Sequence, residues 1–151
     1  MYLSDLCTRA VVTCGRQASA LELARVMRDR HVGDVVIVED VEGGVRPVGV
    51  VTDRDLAVRV MACGIAPEHA VAEDLMHEDV HTAIGSETAY DAIWHMRSHG
   101  IRRLPVVDAH GRLVGIVTAD DVADLLAQEL SALARIAGRQ ASREQVREAG
   151  D

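Results

Sequence analysis

The feature that most constrains this chain is that its pattern is written twice. Shifted by 69 residues, Asp5-Leu6 falls on Asp74-Leu75, Val11 on Val80, Thr13 on Thr82, Ala20 on Ala89 and Met27 on Met96. After a gap of three residues the shift becomes 66. Gly49-Val50-Val51-Thr52 then falls on Gly115-Ile116-Val117-Thr118, Asp55 on Asp121 and Ala57 on Ala123. Chance supplies scattered apolar matches, but not easily a Gly, a Thr and an Asp in fixed order. The chain is therefore expected to use one supersecondary unit two times.

Each copy reads as β-α-β-β-α. A short extended stretch (Val11 to Thr13; Val80 to Ile84) leads to a helix near Ser19–Arg30 or Thr88–Ser98. Both helices open on a capping box, Ser19-x-x-Glu22 and Thr88-x-x-Asp91. Ala20, Leu23, Ala24 and Met27 recur at helical spacing, as do Ala89, Ala92, Ile93 and Met96, so each helix has one apolar face. Two Val-rich runs follow in each copy, Val35–Val38 with Val48–Val51 and Leu104–Val107 with Leu113–Val117, too short for helices and joined by turns as hairpins. The three extra residues of copy one fall in its hairpin loop, where insertions are tolerated best. A second helix starts after Thr52 or Thr118. The first is expected to end at Gly64, a good left-handed cap. The second carries Val122, Leu125, Leu126, Leu130, Leu133 and Ala137 as an apolar stripe towards Gly138. The expected organisation is copy one over residues 1–66 and copy two over 67–137. A linker spans 64–76, and a charged tail, frayed or disordered, spans 138–151. The fold class is α/β.

Two copies of Gly-x-x-Thr-x-x-Asp sit where a strand hands over to a helix, Gly49 to Asp55 and Gly115 to Asp121. Thr-x-x-Asp is itself a capping box, and capping alone explains such a match. A functional reading adds that a helix N-terminus suits a phosphate. Gly permits close approach to the backbone, and an ionised Asp accepts hydrogen bonds from ribose hydroxyls. Recurrence at equivalent positions raises this reading above capping.

Composition bounds the rest. With 48% apolar residues and no Phe, the chain can bury a core, which must be aliphatic. The net charge of -8 argues against a broad nucleic-acid surface. No run has the length of a transmembrane helix and the start lacks the order of a signal peptide, so a soluble cytoplasmic protein without membrane partners is expected. Cys7, Cys14 and Cys63 have neither zinc nor C-x-x-C spacing and are read as buried reduced thiols. His95 and His99 are four apart, as are His77 and His81, but no Glu or Cys completes a recognisable metal set, and solvated helix faces are expected. No nucleophile elbow, zincin motif or P-loop is present, so the chain is not read as an enzyme.

The chain resembles a tandem pair of cystathionine-β-synthase (CBS) domains, the unit often called a Bateman module. Asp74-Leu75-Met76, Ile101 to Asp108 (IRRLPVVD), Gly111 to Thr118 (GRLVGIVT) and Val48 to Asp55 (VGVVTDRD) carry the likeness, which runs from about Leu3 to about Leu130. It implies two units related by a pseudo-twofold axis, with clefts that take AMP, ADP or ATP, less often S-adenosylmethionine or NAD. It also implies a disc-like homodimer that signals through its geometry or through an effector protein not identified here. No cofactor is required; the nucleotide is a regulatory ligand. Carried over, the motif implies Gly49, Thr52 and Asp55 for one cleft and Gly115, Thr118 and Asp121 for the other. Thr13 and Thr82 are implied base or ribose contacts, and Arg102 and Arg103 phosphate contacts. A ligand-independent dimerisation or scaffold module is the alternative.

The copies depart from one another. Copy one has Gly33-Asp34 where copy two has Arg102-Arg103, and Arg54 where copy two has Asp120. Adjacent carboxylates at Asp120 and Asp121 repel a phosphate. The cleft of Thr52, Arg54 and Asp55 is therefore expected to be the better nucleotide site.

Overall fold

A computed structural model of the protein describes the backbone of residues 1–77 and 79–148, with side-chain surroundings up to residue 136. The elements run α1 (Leu3–Leu6), β1 (Thr13–Gly15), α2 (Ala20–Arg30), β2 (Asp34–Val41), β3 (Gly44–Thr52) and α3 (Asp53–Asp55). A π-helical run Leu56–Met61 continues α3. Then follow α4 (Ala72–Leu75), β4 (Ala83–Ile84), α5 (Ala89–His99), β5 (Arg103–Val107), β6 (Leu113–Thr118) and α6 (Ala119–Glu148). Two three-stranded sheets result, β1-β2-β3 and β4-β5-β6. In each, the first strand lies parallel to the second, and the second pairs antiparallel with the third as a hairpin. The α/β class and the repeated unit are as the sequence implies.

Local chemistry sets the boundaries. All four helices that follow a strand or turn through Ser or Thr carry their box. Ser19, Thr52, Thr88 and Thr118 each accept from the backbone N–H three residues on, and each receives the side-chain carboxylate of that residue in return. Helix α5 stops at Gly100 in the left-handed region, whereas α2 stops at His31 in the same conformation, an unusual position for a residue with a Cβ. The first hairpin turns tightly at Glu42-Gly43, with Gly43 at φ +79°. In the second, the Asp108 carboxylate accepts from the N–H groups of His110 and Arg112 at 2.8 and 3.0 Å, and from Arg112 Nε at 2.7 Å.

The linker turns out to hold part of a core. Helix α4 and its flanks pack Ala70, Ala72, Leu75 and Met76 among Leu23, Met27, Val35, Ile37 and Val51 of the first sheet and α2. Helix α1, at the other end of the sequence pattern, sends Leu3 into the second core beside Ala92, Leu104, Val106 and Val117. Backbone bonds fix both crossings. Ala72 N–H donates to Ala18 and Ala20 N–H to Ala70, while Leu3 N–H donates to Glu87 and Ser4 N–H to Gly85. Each half is thus closed by the short helix that opens the other. Full burial of Leu3 contributes about 1.5–3 kcal/mol.

These crossings explain the motif glycines. A methyl built on Gly49 would lie 2.7 Å from Met76 Cβ and 2.8 Å from its Cγ, and one on Gly115 would lie 2.9 Å from Cys7 Cβ. The sequence reading gave both glycines to ligand approach; the space over them is filled by the protein itself.

Other details differ from expectation. Strand β1 starts at Thr13, two residues late, and the copy-two strand shrinks to Ala83–Ile84. The helix after Thr52 becomes π-helical, and the turn behind it reaches Gly64 at φ +67°. Helix α6 runs through Gly138 to Glu148, and residues 149–151 lie outside the described residues. Cys7 and Cys14 are half-buried, but Cys63 is exposed. Burial, and then the Glu22 carboxylate, push the Cys14 thiol above its ordinary range. No described helix is long and apolar enough to cross a membrane.

Gly49→Ala should lower stability by about 1–3 kcal/mol through overpacking against Met76. Gly15→Ala, with nothing near its Cβ, should stay within about 0.5 kcal/mol. Urea unfolding of both variants compares them directly. A second expectation concerns Asp108, whose carboxyl is lowered to about 2 by its bonds from Arg112. Its contribution is present above the unfolded carboxyl's value and lost as pH falls through about 2. Side-chain NMR titration should show that low midpoint, and Arg112→Ala should move it up towards 3.8.

Candidate functional site

The two motif threonines end β3 and β6, and the strands that partner them begin at Asp34 and Arg103. Asp34 pairs in register with Thr52, and Arg103 with Thr118. Asp34 and Arg103 occupy equivalent places in the repeat, and they meet each other as an ion pair, with Arg103 Nε 2.7 Å from Asp34 Oδ1. An ion pair between equivalent positions marks where the pseudo-twofold axis passes. It gathers both Thr-x-x-Asp segments on either side of one cross-repeat contact. Strands β3 and β6 also touch, and Arg112 of the second hairpin lies over Gly43 and Gly44 of the first.

Asp34 is largely buried, its side chain 11% exposed against 40% for Arg103. Burial pushes its carboxyl above the usual range, Arg103 pulls it back, and the nearby Asp53 carboxylate adds to the rise. This pairing answers the departure seen in the sequence. Arg103, expected as a phosphate contact, is engaged by Asp34. Arg102 donates to Asp120 at 3.1 Å, both side chains being well exposed. The Asp120 charge beside Asp121 is thereby offset. Arg54 is exposed, and among the described residues its guanidinium has no carboxylate partner.

The motif carboxylates divide their two oxygens. Asp55 Oδ2 accepts from Thr52 N and from Thr52 Oγ1, both at 2.8 Å. Asp121 Oδ2 accepts from Thr118 N and Oγ1, both at 2.7 Å. Each cap therefore uses one oxygen. Asp55 Oδ1 faces His77, whose Nε2 stands 3.7 Å away, and Asp121 Oδ1 has no partner among the described residues. One carboxylate oxygen per motif is left outside the cap, with lone pairs to accept a further hydrogen bond.

Thr13 is exposed at the head of β1, opposite Val36. Thr82 is half-buried just before β4. Gly49 and Gly115 lie beneath Met76 and Cys7, away from open space. Sequence reasoning missed Asp34 and His77. The opposite charges of Asp34 and Arg103 at equivalent positions were a signal for the first; nothing local announced the second.

The histidines are not simply solvated. His81 and His99 rings lie against each other at a tilt, with centroids 3.7 Å apart, and His95 Nε2 lies 3.2 Å from Glu87 Oε2. Among the described residues no group of three or more His, Cys, Asp or Glu is arranged to hold a metal.

The family model for the CBS domain matches residues 3–62 and again residues 71–128. The chain belongs to the CBS domain family. An uncharacterised protein of Methanopyrus kandleri is 37% identical over 120 residues, which are 80% of this chain but 60% of that protein. Hypoxic response protein 1 of Mycobacterium tuberculosis is 31% identical over 119 residues, 79% of this chain and 80% of its own length. Hypoxic Response Protein I, solved with two coordinated zinc ions, superposes with a TM-score of 0.73 at 29% identity, over 82% of this chain and 98% of that one. A CBS domain protein from Pyrobaculum aerophilum complexed with AMP gives a TM-score of 0.71 at 29% identity, over 80% and 89%. A CBS domain pair in complex with 5′-methylthioadenosine and S-adenosyl-L-methionine gives 0.72 at 26%, over 85% and 98%.

The CBS pair here is joined by the Asp34–Arg103 contact, which makes a pH prediction. A carboxyl raised by burial contributes stability that is present in acid and lost as pH rises through its folded value. Arg103→Met removes the cation that counters this rise. It should cost about 1–2 kcal/mol at neutral pH, discounted for partial exposure, and much less in mild acid. Adding Asp34→Asn should restore the neutral-pH loss. Urea unfolding at the two pH values tests this, and a loss independent of pH would contradict it.

Proposed function

We propose that this CBS pair is a regulatory module that binds an adenine nucleotide, AMP, ADP or ATP, beside the Thr-x-x-Asp segments and acts by binding rather than catalysis. The observation that carries the reading is the Oδ1 that the cap leaves unused on Asp55 and on Asp121, each carboxylate being held in place by a completed cap at a helix start. Such an oxygen accepts a ribose hydroxyl, while the helix N-terminus and a nearby cation favour phosphate. Related CBS pairs solved with AMP, 5′-methylthioadenosine or S-adenosyl-L-methionine support it, because these ligands share an adenosine group. An added phosphate separates AMP from the other two. Arg54 favours phosphate on the Asp55 side, whereas the cations near Asp121 already face Asp120 and Asp34. The Asp55 side is thus the stronger nucleotide site, and an S-adenosylmethionine or NAD preference would fall to the other.

The signal passes through the geometry of a homodimer or through an effector protein. For either, the ligand must bind one arrangement better than the other. A scaffold without ligand is the second reading, favoured by the fact that all the motif side chains already serve as caps.

Calorimetric titration of ligand-stripped protein with AMP, ADP, ATP, NAD and S-adenosylmethionine tests this. Asp55→Ala should weaken the preferred nucleotide about tenfold or more, in line with a charge-assisted hydrogen bond of about 1.5–3 kcal/mol. Asp121→Ala should weaken it less. Asp91→Ala breaks an identical cap away from the motif and should leave affinity unchanged. Equal losses at Asp55 and Asp121 would remove the asymmetry, and no binding by any of the five would move the assignment to the scaffold.

A further inference from the structure

Helix α6 has 30 residues and so extends about 45 Å. Only its first turns serve the core: Val122 is buried, and contacts reach α5 and β6. Beyond them the apolar stripe continues exposed among the described residues. Leu126, Leu130, Leu133 and Ile136 recur at spacings of four, three and three, and they are 48%, 67%, 62% and 62% exposed. Four large aliphatic residues in one exposed row are more than scattered surface apolar groups.

The charges on the same helix say what covers this row. Its first part carries Asp120, Asp121, Asp124 and Glu129 with no Lys or Arg, and its later part carries Arg135, Arg139, Arg143 and Arg147 against Glu144 and Glu148, so it is acidic first and net basic after. A helix acidic at one end and basic at the other is complementary to itself when run in reverse. A parallel copy would set acid on acid and base on base. An anionic membrane surface would meet the acidic half, which it repels.

We propose that α6 pairs antiparallel with α6 of a second copy, about a twofold axis near Leu133, with Leu126, Leu130, Leu133 and Ile136 as the seam. This rests on the homodimer in the reading above and names its surface. Long helices with an apolar seam every three or four residues pack in this way. The axis lies within about two residues of the centre of the apolar row, between Glu129 and Arg135 where the charge changes sign.

The full chain should sediment as a dimer at micromolar concentration. Leu130→Glu with Leu133→Glu should give a folded monomer, since neither residue lies in a core, and circular dichroism melting checks that the fold survives. Cross-linking sets the direction. With Cys63→Ser removing the exposed native thiol, Leu133→Cys should form a disulfide between copies. Leu126→Cys should not, because antiparallel pairing holds its two copies roughly 20 Å apart. AMP titration of the double glutamate variant reads the cleft separately. A wild-type monomer, a dimer that survives both glutamates, or equal cross-linking at 126 and 133 would overturn the pairing. None of these would bear on nucleotide binding in the cleft.

Discussion

Each half of this molecule is completed by a short helix that opens the other half. Helix α1 places Leu3 in the second core, and α4 places Ala72 and Leu75 in the first. Neither sheet could cover its apolar face with its own segment alone. The halves therefore fold as one body, although the sequence writes them in succession. The crossings also dictate local residue choice. Where α4 passes over β3 and where the segment after α1 passes over β6, any side chain larger than hydrogen collides, and Gly49 and Gly115 stand at those points. A one-residue shift in each hairpin register beside these glycines accompanies the close approach.

That arrangement brings the strand ends together and creates the cleft region. Thr52 and Thr118 end adjacent strands of two sheets whose inner strands start at Asp34 and Arg103. The ion pair between those two is the hinge of the pseudo-symmetry. It also breaks the symmetry, because one partner is an acid and the other a base. In copy two both arginines are held by carboxylates, leaving Arg54 of copy one as an exposed cation near a motif aspartate. The inequality of the two sides thus comes less from repulsion by Asp120, which Arg102 offsets, than from the distribution of unpaired cations.

The capping boxes show that a structural role and a binding role need not compete. A carboxylate has two oxygens; the cap takes Oδ2 and leaves Oδ1. Reading the motif as a cap or as a ribose ligand forces a choice that the geometry does not require. The same boxes at Ser19 and Thr88 lie away from the motif, so a box by itself marks only a helix start.

Much of this was legible in the residues. The 69- and 66-residue shifts, the four boxes, the Val-rich hairpins and Gly64 as a left-handed position all rest on interactions within a few residues, which sequence spacing encodes directly. The motif threonines and aspartates were legible for the same reason. What the sequence could not decide depends on contacts between residues far apart. It assigned 64–76 to a linker, gave Gly49 and Gly115 to a ligand, and gave Arg103 to a phosphate, because α4, Met76, Cys7 and Asp34 reach those places only after the halves interlock. Likewise the stripe on α6 is plain in the sequence, but only the packed structure shows that its outer leucines stay uncovered. The chain by itself determined the repeated unit and the chemistry available at each turn; tertiary structure decided which groups that chemistry meets, since apolar burial and ion pairing act through space and not along the chain.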